Sequence, residues 1–526
     1  MTSPSSDRID DIAAAMAEPG FYPDPPERVD VHETHISWVF LTDEFAFKLR
    51  KEVVFPFLDY GTSQRRRHMC EEEMRLGRRL APGLYLGLRA VVARDSGFAL
   101  ADADARDALE HVVVMRRFDE RRTLAARLKT GDASEADIRA VARRIAQFHA
   151  AEEPAPAGSF GPAQVAATVS ENFTTLLAFA DEIGDPRLAA AHRYAVAFVH
   201  GRHAQLAARV EAGHIRDCHG DLRAEHVIFE EDGPAVFDPV EFDPALRRID
   251  TAADLAFLFM ELIETGREDL AEVLATQYRE AGGDDGGDEL LTFYAAYRSW
   301  VRAKVACLRA AELPVGALRA RELEHARALA VLGERLSWRA RRPLMLVICG
   351  SSATGKTVLA EALAAVAGLV QLSSDRVRKE LAGLPPERRA PAAEYSEEAS
   401  RETYRELGAR AAAEAARGGA IVDATFRRRA DRDAFAAAYS ETGPRPVFIE
   451  CRAPAAVVSE RARRRELEPG RISDATTEIA LRQLGEFEPL DEIDSGRHLI
   501  VRTDREPLTV VDAVEAALDA RLARGE

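Results

Sequence analysis

The sequence predicts two kinds of fold in one chain. An α+β region occupies roughly residues 31–338, after a short extension over 1–30. An α/β domain with a parallel sheet follows over 342–526. Three observations carry this division. Past residue 342, short apolar runs alternate with helical patterns, the order that builds a parallel sheet. The first of those runs, LMLVICG, leads into CGSSATGKT, Cys349 to Thr357, which fits the phosphate-cradling pattern G-x-x-x-x-G-K-[ST]. Before residue 338, strand-like runs gather near the start and helical patterns dominate afterwards. At 526 residues the chain is too long for one ordinary core.

Composition narrows the class. The chain is 47% hydrophobic and 30% charged, as in a globular protein, with a net charge of −17. From Pro343 onward stand 27 Lys/Arg against 31 Asp/Glu, so −13 of that charge lies on the residues before it. Such a field disfavours nucleic acid and acidic membranes. Cys70, Cys218, Cys307, Cys349 and Cys451 form no C-x-x-C pair, which points away from a zinc site or disulfide framework and toward a reducing cytosol. The opening MTSPSSDRIDDIAAAMAEPG is polar and acidic, unlike a signal peptide, and no apolar run approaches the ~18 residues of a membrane span. The expected compartment is cytoplasmic.

The elements follow in order. Residues 1–30 read as a short helix and a Pro-rich approach. THISWVFLTDEFAFKLRK reads as two short strands joined by a Thr-Asp turn. In SQRRRHMCEEEMRLGRRLAP, Met69, Glu73, Leu76 and Leu80 recur at helical spacing, which puts Glu73 on the inward face. HVVVMRRF is a buried strand and ADIRAVARRIAQFHAAE an amphipathic helix. A long helical region comes next, broken by GDP at 184–186. HIRDCHGDLRAEHVIFEEDGPAVFDPVEFD reads as loop, strand, turn, strand. Helices then run from about 254 to 338, interrupted by AGGDDGGDE. SWRARRP marks the boundary.

In the α/β domain the phosphate-binding set is Gly350, Ser351, Ser352, Ala353, Thr354, Gly355, Lys356, Thr357 and Val358. The two glycines let the backbone curl so that its N–H groups face phosphate, and the following helix adds its positive end. Lys356 is expected at the β/γ-phosphates and Thr357 at a magnesium ion. Asp375, at the end of the next strand in LSSDRVRKEL, is placed to take the proton of an attacking hydroxyl. Arg376 and Arg378 follow it as candidate anion holders. Asp423 in AIVDATF ends another strand, where it would meet the metal or its waters. Arg461, Arg463, Arg464 and Arg465 share a helix that would serve as a lid. The residues GSSATGKT, SSDRVRKELAGL, VDATF and ECRAP make this segment resemble the small-molecule and zeta-toxin-like P-loop kinases grouped with AAA-type ATP-binding domains, and it is similar to gluconate kinases in that respect. The resemblance implies phosphoryl transfer from ATP to a small hydroxyl compound.

The N-terminal region carries a second constellation. In CHGDLRAEHVIF, Asp221 follows His-Gly and His226 lies five residues further on. Asp238 follows the apolar run AVFDP. Protein-kinase-like enzymes use this layout: an Asp positions or deprotonates the hydroxyl, a side chain five residues later meets magnesium, and a second Asp binds metal after a short hairpin. Lys48 in FAFKLRK and Glu73 in CEEEMRL fit the strand lysine and the helix glutamate that holds it. HVVVMRRF would touch adenine. The region resembles the aminoglycoside phosphotransferase and choline kinase-like family, with HGDLRAEH as catalytic loop and FDPVEFD as metal loop. Asp250 and Asp254 in IDTAADLAFL are structural anchors on this reading. Two departures stand out: His226 replaces the usual metal-side Asn, and no glycine-rich loop precedes Lys48.

The implied architecture is an α+β two-lobed protein-kinase-like domain followed by an α/β P-loop NTPase domain with a parallel sheet. The whole order resembles bacterial fusions of an aminoglycoside phosphotransferase-like domain with an ATP-binding domain. The resemblance implies ATP and Mg2+ as cofactors and small-molecule hydroxyl compounds as partners, while charge and hydropathy point away from nucleic acid and from a membrane. Catalytic roles fall to Asp221, Asp375, Lys48 and Lys356; ATP contacts to the P-loop, Lys48 and Glu73; metal contacts to Thr357, Asp423, Asp238 and His226. Two other arrangements stay open: one active P-loop kinase regulated by an N-terminal pseudokinase, and a nucleic-acid end kinase.

Overall fold

The structure is a computed structural model that describes residues 4–525 apart from 56–57, 96, 157, 159, 186, 386–387, 440–442 and 468–474. The expected helix break at 184–186 therefore includes one residue, Pro186, outside the described set. By contact density the chain divides into two compact units. One comprises Met1–Val165 and Gln205–Arg298, the other Ala166–Ala204 and Ser299–Glu526.

The first unit opens with helix Pro4–Met16, as the sequence implies. Six antiparallel strands follow: β1 Asp30–Glu33, β2 Ser37–Leu41, β3 Phe45–Arg50, β4 Tyr85–Arg94, β5 Gly97–Asp102 and β6 Ala108–Arg116, in spatial order β1-β2-β3-β6-β4-β5. Strand alternation sorts β3 into two faces. Phe47 and Leu49 pack with Ile9, Ile12 and Met16 of the N-terminal helix. Lys48 and Arg50 face the other way, toward helix Ser63–Leu80. That helix starts where Thr62 accepts the Arg65 N–H at 3.3 Å, and it buries Cys70, Glu73, Met74 and Leu80. Met69 is only half-buried. Strands β4 and β5 were not expected from the sequence. In β4, register shifts against β6 at Tyr85/Gly87 and Val91/Val92 break the period-two pattern by which a strand is recognised.

Below the sheet, hairpin Val227–Glu230/Gly233–Val236 and the antiparallel pair Ile215–Asp217/Arg248–Asp250 frame the HGD segment. Helix Thr251–Glu264, capped by Asp250, is buried along almost its whole length. This is the two-lobed α+β arrangement, and the HGD segment sits between the sheet and the helices.

The second unit contains a five-stranded parallel sheet: β7 Leu344–Cys349, β8 Val370–Ser373, β9 Gly419–Asp423, β10 Val447–Arg452 and β11 His498–Arg502, in order β8-β9-β7-β10-β11. All five strands were expected. Helices lie on both faces and enclose two apolar clusters. Helices Leu188–Gly201 and Ala317–Ala340, which precede the sheet in sequence, belong to the same compact unit. Trp338 is fully buried in the cluster that holds Leu346, Ile348, Leu359 and Val514. All five cysteines are free and buried, and among the described residues no helix is long and apolar enough to cross a membrane.

Candidate active sites

The N-terminal site is built around a chain of alternating charges. Lys48 Nζ lies 3.0 Å from Glu73 Oε1 and 2.7 Å from Asp238 Oδ1. Arg50 Nη2 lies 2.8 Å from Glu73 Oε2 and 2.6 Å from Glu241 Oε1, and the Tyr60 hydroxyl donates to the same Glu241 oxygen at 2.8 Å. Glu73 is 0% exposed and Arg50 1%. Burial pushes the Lys48 ammonium toward the neutral form, but Asp238, Glu73 and Glu241 hold it far above its ordinary value. Burial likewise opposes ionisation of Asp238; the Lys48 ammonium, by its charge and its hydrogen bond, overcomes it and keeps the carboxyl well below the usual range. Glu241 goes the other way. Burial raises it, and the nearby Glu73 and Asp238 charges add to the rise.

The HGD loop is tied from below. The Asp254 carboxylate accepts the backbone N–H groups of His219 at 3.1 Å and Gly220 at 2.8 Å. It also bonds His149 Nε2 at 3.1 Å, while His149 Nδ1 meets the Tyr278 hydroxyl at 2.8 Å. Asp254 is thereby held at about 2, against the burial that would raise it. This is the anchoring expected of it. Asp250 bonds Arg209 through both oxygens at 2.6 and 2.7 Å. His149, Cys218 and Asp254 could share an ion by proximity, but each is committed to these internal bonds. Asp221 is half-buried beside His226, and Asp238 holds a left-handed backbone, φ 60°, with its N–H bonded to the Tyr85 hydroxyl at 3.0 Å. Tyr85 reaches it only because Gly77 has no side chain: a Cβ there would lie 2.2 Å from the tyrosine ring. The turn between β1 and β2 is closed by Thr34, whose N–H bonds the Ser37 carbonyl at 2.9 Å, so no open glycine loop precedes Lys48.

The C-terminal site surrounds a cavity of about 840 Å³. The P-loop turns through φ 133° at Gly350, 63° at Ala353 and 96° at Gly355. A Cβ at Gly350 would lie 2.6 Å from the Cys451 carbonyl oxygen, so glycine is required there. Ser352, Ala353, Lys356 and Thr357 line the cavity; Thr354 is buried beneath it and Val358 is exposed at 45%. Lys356 Nζ donates to the Ser351 carbonyl at 2.9 Å, and burial lowers its affinity for its proton. The Ser352 N–H donates to Gln483 Oε1 at 3.0 Å, a bond that an incoming phosphate oxygen would replace. Asp375 and Asp423 both line the cavity. Burial raises Asp423, partly offset by Lys356 and by a hydrogen bond from Thr357. Arg378 is 7% exposed, donates to the Glu394 carbonyl at 2.6 Å and lies over the Tyr395 ring at 4.7 Å.

The four arginines of helix Ala455–Glu466 separate. Arg465 lines the cavity. Arg461 donates to the Thr503 carbonyl at 2.6 Å and braces the P-loop from behind, while Arg463 and Arg464 are exposed. Arg376 is exposed as well.

The chain is 34% identical over 388 residues to uncharacterized proteins of Mycobacterium tuberculosis (Rv2004c) and Mycobacterium bovis (Mb2027c), covering 72% of this chain and 72% of each relative. It belongs to their family. A family model described as AAA domain matches residues 345–490. Among solved structures, a choline/ethanolamine kinase family protein from Mesorhizobium loti is 14% identical, covers 61% of this chain and 99% of its own, and has a TM-score of 0.35. A gluconokinase from Sinorhizobium meliloti is 23% identical, covers 35% of this chain and 94% of its own, with a TM-score of 0.25.

The structure thus brings Lys48, Glu73, Asp238, His226 and Asp221 into one cleft and Lys356, Thr357, Asp375 and Asp423 into another. No sequence motif singles out Arg50, Tyr60 or Gln483, and Glu241 appears only inside FDPVEFD. For Arg50 one signal existed: two residues from Lys48 on a strand, it must share its face. Gln483 had none, because its partner is 131 residues away.

Proposed function

We propose that the chain is an ATP-dependent phosphotransferase with two nucleotide sites, each transferring the γ-phosphoryl group to a hydroxyl of a small molecule. The observation that carries this reading is the convergence of Lys356, Thr357, Asp375 and Asp423 on one cavity. In the transfer, the acceptor oxygen bonds to the γ-phosphorus as the bond to the β,γ-bridging oxygen breaks. ADP leaves, and the hydroxyl proton passes to the Asp375 carboxylate. Lys356 leaves the Ser351 carbonyl to meet β/γ-phosphate charge, and Arg378 and Arg465 flank the acceptor and nucleotide sides. The Thr357 hydroxyl and Asp423 carboxylate are hard oxygen donors that suit Mg2+, which when bound would neutralise phosphate charge. In the N-terminal site Asp221 takes the acceptor proton and Lys48, held by Glu73, meets the phosphates. The two modules are assigned to 31–338 and 342–526, working in the cytoplasm.

The test is ATP consumption against a panel of hydroxylated small molecules, with wild type, Lys356→Ala and Asp221→Ala in parallel. Each variant is expected to lose about 10²–10³-fold in turnover of a different acceptor. A second reading, a nucleotide-binding pseudokinase beside one active kinase, is favoured by the closed turn ahead of Lys48. Turnover that falls only in Lys356→Ala would establish it. No acceptor-dependent turnover at all would reject both.

A further inference from the structure

The side chain at the metal position of the N-terminal cleft is an imidazole, and its orientation is fixed. His226 Nδ1 lies 2.9 Å from the main-chain carbonyl oxygen of Asp221. A carbonyl only accepts, so Nδ1 is the nitrogen that donates, and Nε2 is the one left to serve as a ligand when the ring is neutral. Nε2 lies 3.8 Å from Asp238 Oδ2 and 3.7 Å from Glu225 Oε1, beyond hydrogen-bond reach of either. Two ligands each about 2.1 Å from one ion stand roughly 3.0–3.4 Å apart, so a closing movement of about half an ångström would let Nε2 and Oδ2 share one. The residue is 8% exposed, so this nitrogen is not simply facing water. Asp238 is divided to match: Oδ1 is bonded to Lys48 at 2.7 Å, and Oδ2 is the oxygen turned toward His226. A histidine ligand whose other ring nitrogen donates to a backbone carbonyl is the usual arrangement at metal centres, because that bond sets both tautomer and ring angle. The bond to Asp221 also ties the ligand to the residue that would receive the acceptor's proton.

We infer that the N-terminal site binds its nucleotide with a first-row transition ion, held by His226 Nε2 and Asp238 Oδ2, in preference to Mg2+. This rests on the reading of that cleft as a nucleotide site. The donor set decides the preference. Mg2+ demands oxygen ligands in near-octahedral geometry and dehydrates reluctantly, whereas imidazole nitrogen gains along the series from Mn2+ through Co2+. The P-loop site offers Thr357 and Asp423, and among the described residues no histidine lines its cavity. One chain would then carry an oxygen-lined Mg2+ site and a nitrogen-bearing site of different metal choice.

The contrast supplies the test. Full-length protein is loaded with Mn2+ and a non-hydrolysable ATP analogue and examined by pulsed electron paramagnetic resonance. Coupling to 31P reports nucleotide on the ion at either site. Coupling to imidazole 14N reports His226 alone. Both are expected in wild type, and 14N is expected to vanish in His226→Asn while 31P persists. In Lys356→Ala, which weakens nucleotide binding at the P-loop, the remaining Mn2+-nucleotide affinity is expected to exceed that with Mg2+ by tenfold or more. His226→Asn in that background should narrow the ratio. Wild-type protein with 31P but no 14N coupling overturns the inference and leaves the kinase reading standing. Loss of all 31P coupling in Lys356→Ala removes the N-terminal nucleotide site and the inference with it. The wild-type spectrum decides even if the variants fold poorly.

Discussion

A fragment spanning only residues 342–526 is expected not to fold stably, although it contains every strand of the parallel sheet and every motif of the P-loop site. The reason lies in what packs on that sheet. Trp338, fully buried in the cluster with Leu346, Ile348 and Val514, would be missing. Loss of a buried tryptophan costs about 3–5 kcal/mol. Helix Leu188–Gly201 would be missing as well. It approaches helix Pro507–Ala523 so closely that a Cβ on Gly201 would lie 1.8 Å from the Leu522 carbonyl oxygen. Arg193 bonds Asp519 at 3.0 Å and Asp512 at 2.9 Å, Arg341 bonds Asp519 at 2.6 Å, and Arg187 pairs with Glu515 and Glu334. Glu515 and Asp519 are 2% and 1% exposed, so truncation also uncovers the apolar surface that surrounds them. Against a typical total of about 5–15 kcal/mol, these losses exceed the margin. Circular dichroism melts and dye binding to exposed apolar surface will check it. A fragment that melts cooperatively within a few degrees of the full chain would show the sheet to be self-sufficient.

This packing was hidden from the sequence, and the reason is physical. Motifs report local chemistry: a strand, a glycine turn and a lysine at fixed spacing place the P-loop without further information. The boundary at SWRARRP is likewise a local change of pattern. Which distant helix covers a sheet is decided by shape and by side chains more than 300 residues apart, such as Arg193 and Asp519. The same division appears in the sites. Lys48, Glu73, Asp221 and Asp238 were found because each belongs to a short pattern with a fixed order. Arg50 belongs to no such pattern, and its partners Glu73 and Glu241 lie far off in sequence. The unexpected strand β4 escaped for a third reason, since its register shift against β6 puts Val91 and Val92 both inside.

Arg50→Met is expected to be the most damaging single substitution in the N-terminal lobe, and to show a pH signature. Arg50 is the only side chain bonded to both Glu73 and Glu241 among the described residues. Removing it leaves two carboxylates buried, with Lys48 shared among Glu73, Asp238 and their neighbours. Breaking a buried pair from one side costs about 3–5 kcal/mol, which lowers the melting temperature by on the order of 10 °C. Glu241 is already raised in the intact protein, by burial first and then by Glu73 and Asp238. Without the guanidinium it rises further, so the folded state binds more protons than the unfolded chain. Stability of the variant then increases as pH falls from neutral toward the unfolded-chain glutamate value near 4.3, because protonation removes the uncompensated charge. Wild type, in which Arg50 opposes the rise, gains less. The deficit between the two is therefore expected to be largest at pH 7–8 and to shrink toward pH 5, read from paired thermal melts. Arg50→Lys separates charge from geometry: a point charge can neutralise one carboxylate but cannot reach both with the spread of a guanidinium. It should recover part of the stability and leave Glu73 less firmly held, so that nucleotide binding through Lys48 remains weaker than in wild type. A deficit independent of pH would mean that lost packing, and not stranded charge, is what Arg50→Met exposes.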